Sequence, residues 1–470
     1  MGNADQTSLS SLRAQTRKSR FDDAKRVNLP NKGDASSCSG DGVPLSRNDG
    51  SSAMRTRSGR VVRFGEVVLP ASKSESNRAL MIAAYGGFDP DFQNLSDSHD
   101  TKVLMNALDS LPFLDSRRRT IPHWNDIKGM PQIVDIADCG TAARFLTTYL
   151  ACHEGDWLLT GTQRMKQRPM VPIVEALRGL GADIQCVDKE GCLPLRIVGK
   201  PISGGKVTVD MSQSSQFASS LLLAAPLWPQ GLEMELIGEL SSLPYLEMTL
   251  TMMRHFGAKI EQSDRMIKVF PKHYHSMFFE IEADWSAASY WYEMAALSEE
   301  CEIRLHGLVG PSTLRWASGT TGSGASSLQG DVVIVDWMRQ LGVGTFVEDK
   351  AVVLRKIPFE KRPLCFDFSA HPDLYPTMAA TCAGLGIEAR FLGIDNLHLK
   401  ESDRVEAMQT ELAKLSQQPV QFCAHNDHRI VMALAPLSML VGPVDFDHPE
   451  VVEKSYPRFW EDASFCQLMR

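Results

Sequence analysis

One phrase is written three times in this chain: an apolar residue, a basic residue, any residue, an apolar residue, glycine, a small residue. It reads Leu177-Arg178-Gly179-Leu180-Gly181-Ala182, then Met253-Arg254-His255-Phe256-Gly257-Ala258, then Met338-Arg339-Gln340-Leu341-Gly342-Val343. The arginines lie 76 and 85 positions apart. The phrase is a helix end, with apolar residues at helical spacing and glycine as the stop. Strand, turn and strand follow it, as in 184–187 and 195–198 around the turn 188–191, and in 345–347 and 352–354. Fainter echoes occur at Ala107-Leu108-Asp109 and Leu412-Ala413-Lys414-Leu415. A period near 75 over about 410 residues implies five or six copies of one α/β unit. Such a unit cannot bury both faces alone, so two similar domains around a cleft are expected.

Polar knots interrupt this scaffold, one per helix start. Pro70-Ala71-Ser72-Lys73-Ser74-Glu75-Ser76-Asn77-Arg78 follows the apolar Val67-Val68-Leu69 and leads into an apolar helix from Ala79. Asp138-Cys139-Gly140-Thr141-Ala142-Ala143-Arg144-Phe145 is a glycine turn opening a helix, and Arg164-Met165-Lys166-Gln167-Arg168-Pro169 stands before another. Ser212-Gln213-Ser214-Ser215-Gln216-Phe217 precedes the apolar stretch 218–225. The later half adds His371-Pro372-Asp373, Lys400-Glu401-Ser402-Asp403-Arg404, Asn426-Asp427-His428-Arg429 and Lys454-Ser455-Tyr456-Pro457. A single knot is a capped helix with solvated cations. Seven or eight make a composite anion-binding cleft, because helix starts offer free N–H groups and partial positive charge.

Eight cations enter that count: Lys73, Arg78, Arg144, Arg168, Lys400, Arg404, Arg429 and Lys454. Gathered together they call for compensation by a substrate bearing phosphates or carboxylates. On helical spacing, Lys400 and Arg404 share a face and repel unless an anion lies between them. Asp373 and Glu401 are the carboxyls among them, and acid–base chemistry asks for a pair with opposed pKa shifts. No Walker-type glycine loop and no metal-ligand spacing appears, so direct transfer between two bound anions is expected, with no cofactor, no metal and no covalent intermediate.

The 470 residues carry a net charge of -8, which argues against a nucleic-acid partner, and no run approaches a membrane span. The ten cysteines are scattered and read as reduced thiols, the Cys186 and Cys192 pair included. Residues 1–60 are polar, lack glutamate and show no apolar period, so they read as a disordered tail. Arg55, Arg57, Arg60 and Arg63 form a basic patch before the first strand. The leader is Arg- and Ser-rich, but its aspartates spoil a transit peptide; a cytoplasmic location is expected, with plastid targeting the weaker reading and Met54 an alternative start.

With these motifs in order, the chain from about Val67 to Trp460 resembles the 5-enolpyruvylshikimate-3-phosphate synthase family of enolpyruvyl transferases. The carrying motifs are SKSxSNRA at 72–79, GTAxR at 140–144, RMKxRP at 164–169, SSQ at 214–216, LPY at 243–245, PD at 372–373, KESDR at 400–404 and NDHR at 426–429. The resemblance implies an inside-out α/β barrel fold of two similar domains, each of three βαβαββ repeats. One domain spans 61–71 plus 284–470 and the other 72–283, with crossings near 69–71 and 282–287. It implies transfer of the enolpyruvyl group of phosphoenolpyruvate to the 5-hydroxyl of shikimate 3-phosphate. Shikimate 3-phosphate would be held by Lys73, Ser74, Arg78, Ser214, Ser215, Gln216, Ser242, Tyr245, Asp373, Asn396 and Lys400. Phosphoenolpyruvate would be held by Lys73, Gly140, Arg144, Arg168, Gln216, Arg404, Arg429 and Lys454. Asp373 with Lys400 would take the hydroxyl proton, Glu401 would shuttle the proton at the methylene carbon, and Lys73 would complete the catalytic set. The partners implied are small anionic substrates acting on a monomer, with neither nucleic acid nor membrane.

Departures from the family pattern are Phe145 where proline is common, Cys139 where a small residue is usual, and Glu75 at the variable position of the first motif. Segments 110–131 and 319–329 read as insertions. The sister family acting on UDP-N-acetylglucosamine carries a cysteine in the RMKxRP region, and residues 163–169 have none. A catalytically dead anion-binding paralogue would have lost Asp373, Glu401 or Lys73, and all three are present.

Overall fold

The computed structural model describes residues 65–89, 91–111, 130–310, 327–417 and 419–465. The leader with its basic patch, and most of the two expected insertions, lie outside the described residues.

The chain opens with strand β1 (Gly65–Val68) and helix α1 (Lys73–Gly86). The helix starts six residues earlier than the apolar pattern predicts. Ser72 caps it, its hydroxyl accepting from the Glu75 N–H at 3.4 Å, so Lys73, Ser74 and Arg78 ride on helix rather than loop. Helix α2 (His99–Asp109) follows, capped by Ser98.

Two complete units come next. The first is β2 (Gln132–Asp135), α3 (Gly140–Cys152), β3 (Gly155–Thr160), α4 (Gln163–Gln167), α5 (Val171–Gly179), β4 (Asp183–Cys186) and β5 (Leu195–Gly199). The second is β6 (Gly205–Asp210), α6 (Gln216–Ala224), β7 (Leu232–Ile237), α7 (Leu243–His255), β8 (Lys259–Gln262) and β9 (Met266–Phe270). Each makes a sheet whose first two strands are parallel and whose last hairpin returns antiparallel, in the order β2-β3-β5-β4 and β6-β7-β9-β8.

Helix α8 (Trp285–Leu297), β10 (Glu302–His306), α9 (Ile334–Arg339), β11 (Val343–Glu348) and β12 (Ala351–Lys356) form a third such unit. Its first strand is the distant β1, paired parallel with β10 from Gly65↔Ile303 to Val68↔His306. After it come two parallel strand pairs with helical crossovers. These are β13 (Leu364–Asp367), α10 (Tyr375–Leu385) and β14 (Ala389–Leu392), then helix α11 (Arg404–Leu412), then β15 (Val420–Phe422), α12 (His428–Leu434) and β16 (Val444–Phe446). A short parallel ribbon joins Phe92–Gln93 to Phe279–Glu280.

The three glycines of the repeated phrase behave as helix stops. Gly181, Gly257 and Gly342 have φ of +92°, +96° and +86°. Ala182 N–H reaches Leu177 O and Ala258 N–H reaches Met253 O, each at 2.9 Å, which closes the last turn. The layering is inverted relative to an ordinary barrel. All thirteen residues of α8 are buried, whereas β1 alternates buried and exposed. A helix apolar all round belongs inside, and an alternating strand belongs at the surface.

The buried apolar residues form two cores. One runs from Ala71 to Ile281; the other takes Val67 and Leu69 and resumes at Ala283. Where the chain passes between them, the two segments lie side by side. Ala71 bridges Ala283 antiparallel, Ser72 N–H donates to Glu282 O at 2.8 Å and Asp284 N–H to Pro70 O at 2.9 Å. Glu75 packs against this ribbon. Its carboxyl accepts from the Glu282 N–H at 3.2 Å and from the Gln329 amide at 2.9 Å. Burial and the neighbouring Glu282 push Glu75 up to about 8, and burial pushes Glu282 up to about 7.

Among the described residues Cys186 and Cys192 are free thiols. No helix there is long and apolar enough to cross a membrane, and no group of three His, Cys, Asp or Glu is placed to hold a metal.

Candidate functional site

The helix starts converge on one cleft between the two cores. The first core contributes the opening turns of α1 (Lys73, Ser74, Arg78), α3 (Gly140, Thr141), α6 (Ser214, Ser215, Gln216) and α7 (Ser242, Tyr245), together with Arg168. The second contributes Asp373, Lys400, Glu401, Arg404, His428 and Arg429. Four helix N-termini on one side make a wall of donors for anions.

Three expected residues stand off the wall. Arg144 turns inward, donating to Gly140 O and Pro169 O, each at 3.1 Å, over the face of Phe217. It ties the glycine turn to the Arg168 segment. Space there is tight: a Cβ on Gly140 would lie 2.7 Å from Arg168 Nη1 and 2.9 Å from Arg144 Nη1. Asn396 donates to Ser241 Oγ at 2.6 Å. Lys454 is buried behind Asp100.

Five of the eight cations, Lys73, Arg168, Arg404, Arg429 and Lys454, are compensated by the protein's own carboxylates, which revises the expectation that they await substrate charge. Arg404, with a side chain only 1% exposed, meets Asp427 at 2.8 Å and Asp373 and Glu401 at 2.9 Å each. Arg429 meets the other oxygen of Asp373 at 2.7 Å. Lys73 and Lys454 each lie 3.0 Å from Asp100, and Lys454 lies 2.6 Å from Asp138. Arg168 reaches Glu401 at 3.5 Å. A buried guanidinium needs such partners, since an unpaired one would cost several kcal/mol. Asp100, Asp138 and Asp427 are the residues that sequence reasoning passed over. All three sit in or beside helix starts, the same places that supply the cations.

Lys400 and Arg404 do not share a helix face. Helix α11 begins at Arg404, with Asp403 as its cap, and Lys400 is extended backbone after a 3-10 turn, Leu397–Leu399. Among the described residues Lys400 makes no ion pair. Burial pulls its ammonium down to about 8, against the opposing pull of Asp373.

The two carboxyls are not opposed in pKa. Burial pushes Asp373 up, but Arg429, Arg404 and Lys400 outweigh it and hold it well below the usual carboxylate range. Glu401 follows the same pattern under Arg168, Arg404 and Lys454. Both are ionised at neutral pH, and the Lys400 ammonium titrates at about 8. His428, lowered by burial and by Lys73 and Arg429, is neutral. Tyr245 donates to Asp373 at 3.3 Å and Arg78 donates to Thr249 at 2.7 Å, which fixes both on the wall.

The arrangement can bind two polyanions side by side and move a proton between them. A profile of the family described as EPSP synthase (3-phosphoshikimate 1-carboxyvinyltransferase) matches residues 62–422 and 415–463. A 3-phosphoshikimate 1-carboxyvinyltransferase of Bacteroides fragilis is 39% identical over 417 residues, covering 84% of this chain and 93% of its own. The enzyme of that name from Haemophilus influenzae is 34% identical and covers 85% of this chain and 95% of its own. Among solved structures, EPSP synthase from Acinetobacter baumannii superposes with a TM-score of 0.63 at 20% identity, over 86% of this chain and 96% of that one.

Proposed function

Because the chain belongs to the EPSP synthase family, we infer that its cleft transfers the enolpyruvyl group of phosphoenolpyruvate to the 5-hydroxyl of shikimate 3-phosphate and releases phosphate, a step of aromatic amino acid biosynthesis. The observation that carries this reading is the facing of two unlike walls. Helix starts and hydroxyls lie on one side, and on the other lie Lys400 and the guanidinium-paired Asp373 and Glu401.

In this reading Lys73, Ser74, Arg78, Ser214, Ser215, Gln216, Ser242 and Tyr245 hold shikimate 3-phosphate. Gly140, Arg168, Arg404 and Arg429 hold phosphoenolpyruvate. Arg144, Asn396 and Lys454 act by placing these neighbours. Asp373 and Lys400 receive the proton of the attacking hydroxyl as its oxygen bonds to the central enol carbon. Glu401 gives a proton to the methylene carbon and takes one back as the carbon–phosphate oxygen bond breaks.

An ionised Glu401 has no proton to give, and the substrate resolves this. Arg168 and Arg404, which hold Glu401 down, are the groups that phosphoenolpyruvate engages. An added anion beside the carboxyl and a cation drawn away from it both raise its proton affinity. Glu401 is then charged before phosphoenolpyruvate binds and protonated in the ternary complex. The reading also places the protein in the cytoplasm as a monomer; the free thiols among the described residues support the first of these.

The test is phosphate release with each substrate alone, with both, and with UDP-N-acetylglucosamine in place of shikimate 3-phosphate. Release only with both expected substrates supports the assignment. Equal or faster turnover with the nucleotide sugar refutes it.

A further inference from the structure

Arg164 belongs to the RMKxRP motif, yet it lies outside the cleft wall and the substrate reading gives it no part. Its side chain crosses from the first core to the second. Nε donates to Glu401 O at 3.0 Å, and Nη2 donates to Lys400 O at 2.8 Å and His398 O at 3.2 Å. His398 lies within the 3-10 turn Leu397–Leu399, and Lys400 and Glu401 follow directly on it, where a helix end leaves acceptors free and carries partial negative charge. Two of the three belong to the residues read as the proton carriers.

The arginine is itself anchored. It rides on α4, where the Thr162 hydroxyl accepts from the Met165 N–H at 3.3 Å and the Met165 side chain is fully buried. The same short segment ends at Arg168, 3.5 Å from the Glu401 carboxylate. Residues 164–168 therefore hold the Lys400–Glu401 segment twice, by its backbone and by a side chain. A solvated surface arginine would make one or two passing contacts. A planar fork with three carbonyls of one turn is a shaped fit, which an ammonium cannot copy.

We infer that Arg164 is a positioning residue: by clamping the backbone of 398–401 across the cleft, it sets where the Lys400 and Glu401 side chains meet the substrates. The inference rests on the reading of those two residues as acid–base groups.

The test uses the full chain with Arg164→Ala and Arg164→Lys. The readouts are kcat and KM for both substrates, the pH–rate profile, and the melting temperature without ligand. Arg164→Ala should lower kcat/KM by roughly 10–100-fold, the scale of losing charge-assisted bonds that matter to the transition state. The ascending limb of its pH–rate profile, set by loss of the Lys400 proton at about 8, should move upward as water reaches Lys400. Arg164→Lys should recover only a minor part of the loss. The unliganded melting temperature should stay within about 1 °C, as for an exposed contact. Parental kinetics and pH profile in Arg164→Ala overturn the inference. So does a loss that Arg164→Lys fully restores, or one matched by a fall in melting temperature. Failure of the parent to release phosphate with both substrates would instead sink the reaction assignment.

Discussion

Lys400 is predicted to destabilise the fold it serves. Its ammonium lacks an ion-pair partner among the described residues, and burial pulls it from the ordinary 10.5 to about 8. At about 1.4 kcal/mol per pH unit, that gap is worth about 3 kcal/mol. Solvent reaches this half-buried side chain, and screening trims the figure to about 1–3 kcal/mol. The sign follows from proton counting. Between pH 8 and 10.5 the unfolded chain holds the proton that the folded chain has given up. The cost is therefore complete below pH 8, shrinks as pH rises, and is gone above 10.5. Lys400→Met keeps the length and removes the charge. The variant should be more stable than the parent by about 1–3 kcal/mol at pH 7 and by less than about 1 kcal/mol at pH 10. Its phosphate release should meanwhile fall by about 10²–10⁴-fold. Urea denaturation at the two pH values, beside the coupled phosphate assay, reads both quantities. A variant less stable than the parent at pH 7, or a gain that does not shrink by pH 10, would refute the reasoning.

Glu401→Gln keeps shape and polarity but carries no proton, so turnover should fall by about 10²–10⁴-fold with shikimate 3-phosphate affinity nearly unchanged; near-parental turnover would leave Glu401 as only the ion-pair partner of Arg404. Asp373→Asn should lose turnover similarly and also weaken shikimate 3-phosphate binding, measured by titration, because Asp373 faces the cleft between Tyr245 and Arg429, accepting a hydrogen bond from each. Glu75, raised to about 8 from 4.5, makes the parent lose stability as pH climbs through that window. Glu75→Gln should flatten the loss between pH 5 and 8 in chemical denaturation, and an unchanged slope would show that Glu75 is ionised throughout.

What the sequence made legible is local. The helix ends at 177–182, 253–258 and 338–343 follow from apolar spacing and a glycine whose positive φ needs no partner elsewhere. The cleft wall was legible for the same reason, since each knot sits at its own helix start. What escaped was charge balance. Lys73 and Lys454 share Asp100, 27 and 354 positions away respectively, and no local pattern announces such a pairing. Counting cations without their carboxylates made the cleft look emptier of negative charge than it is. The opposed pKa pair was missed on the same ground, because the guanidinium neighbours of Asp373 and Glu401 act together on both. Apolar periodicity begins only at Ala79, whereas the hydrogen bond that sets the start of α1 comes from the polar Ser72.

The pairing of β1 with β10 has a consequence for how the chain is made. Gly65 meets Ile303, 238 positions later, whereas the sheets holding β2 to β9 are finished by Phe270. At a synthesis rate of roughly 5–20 residues per second, the first strand emerges about 12–50 s before its neighbour exists. Two whole sheets can close in that interval while one apolar segment, Val67-Val68-Leu69, waits with an open edge. Such an edge invites pairing between nascent chains on one message. The charges beside it in sequence, Arg60, Arg63 and Glu66, are the kind of residue that discourages it.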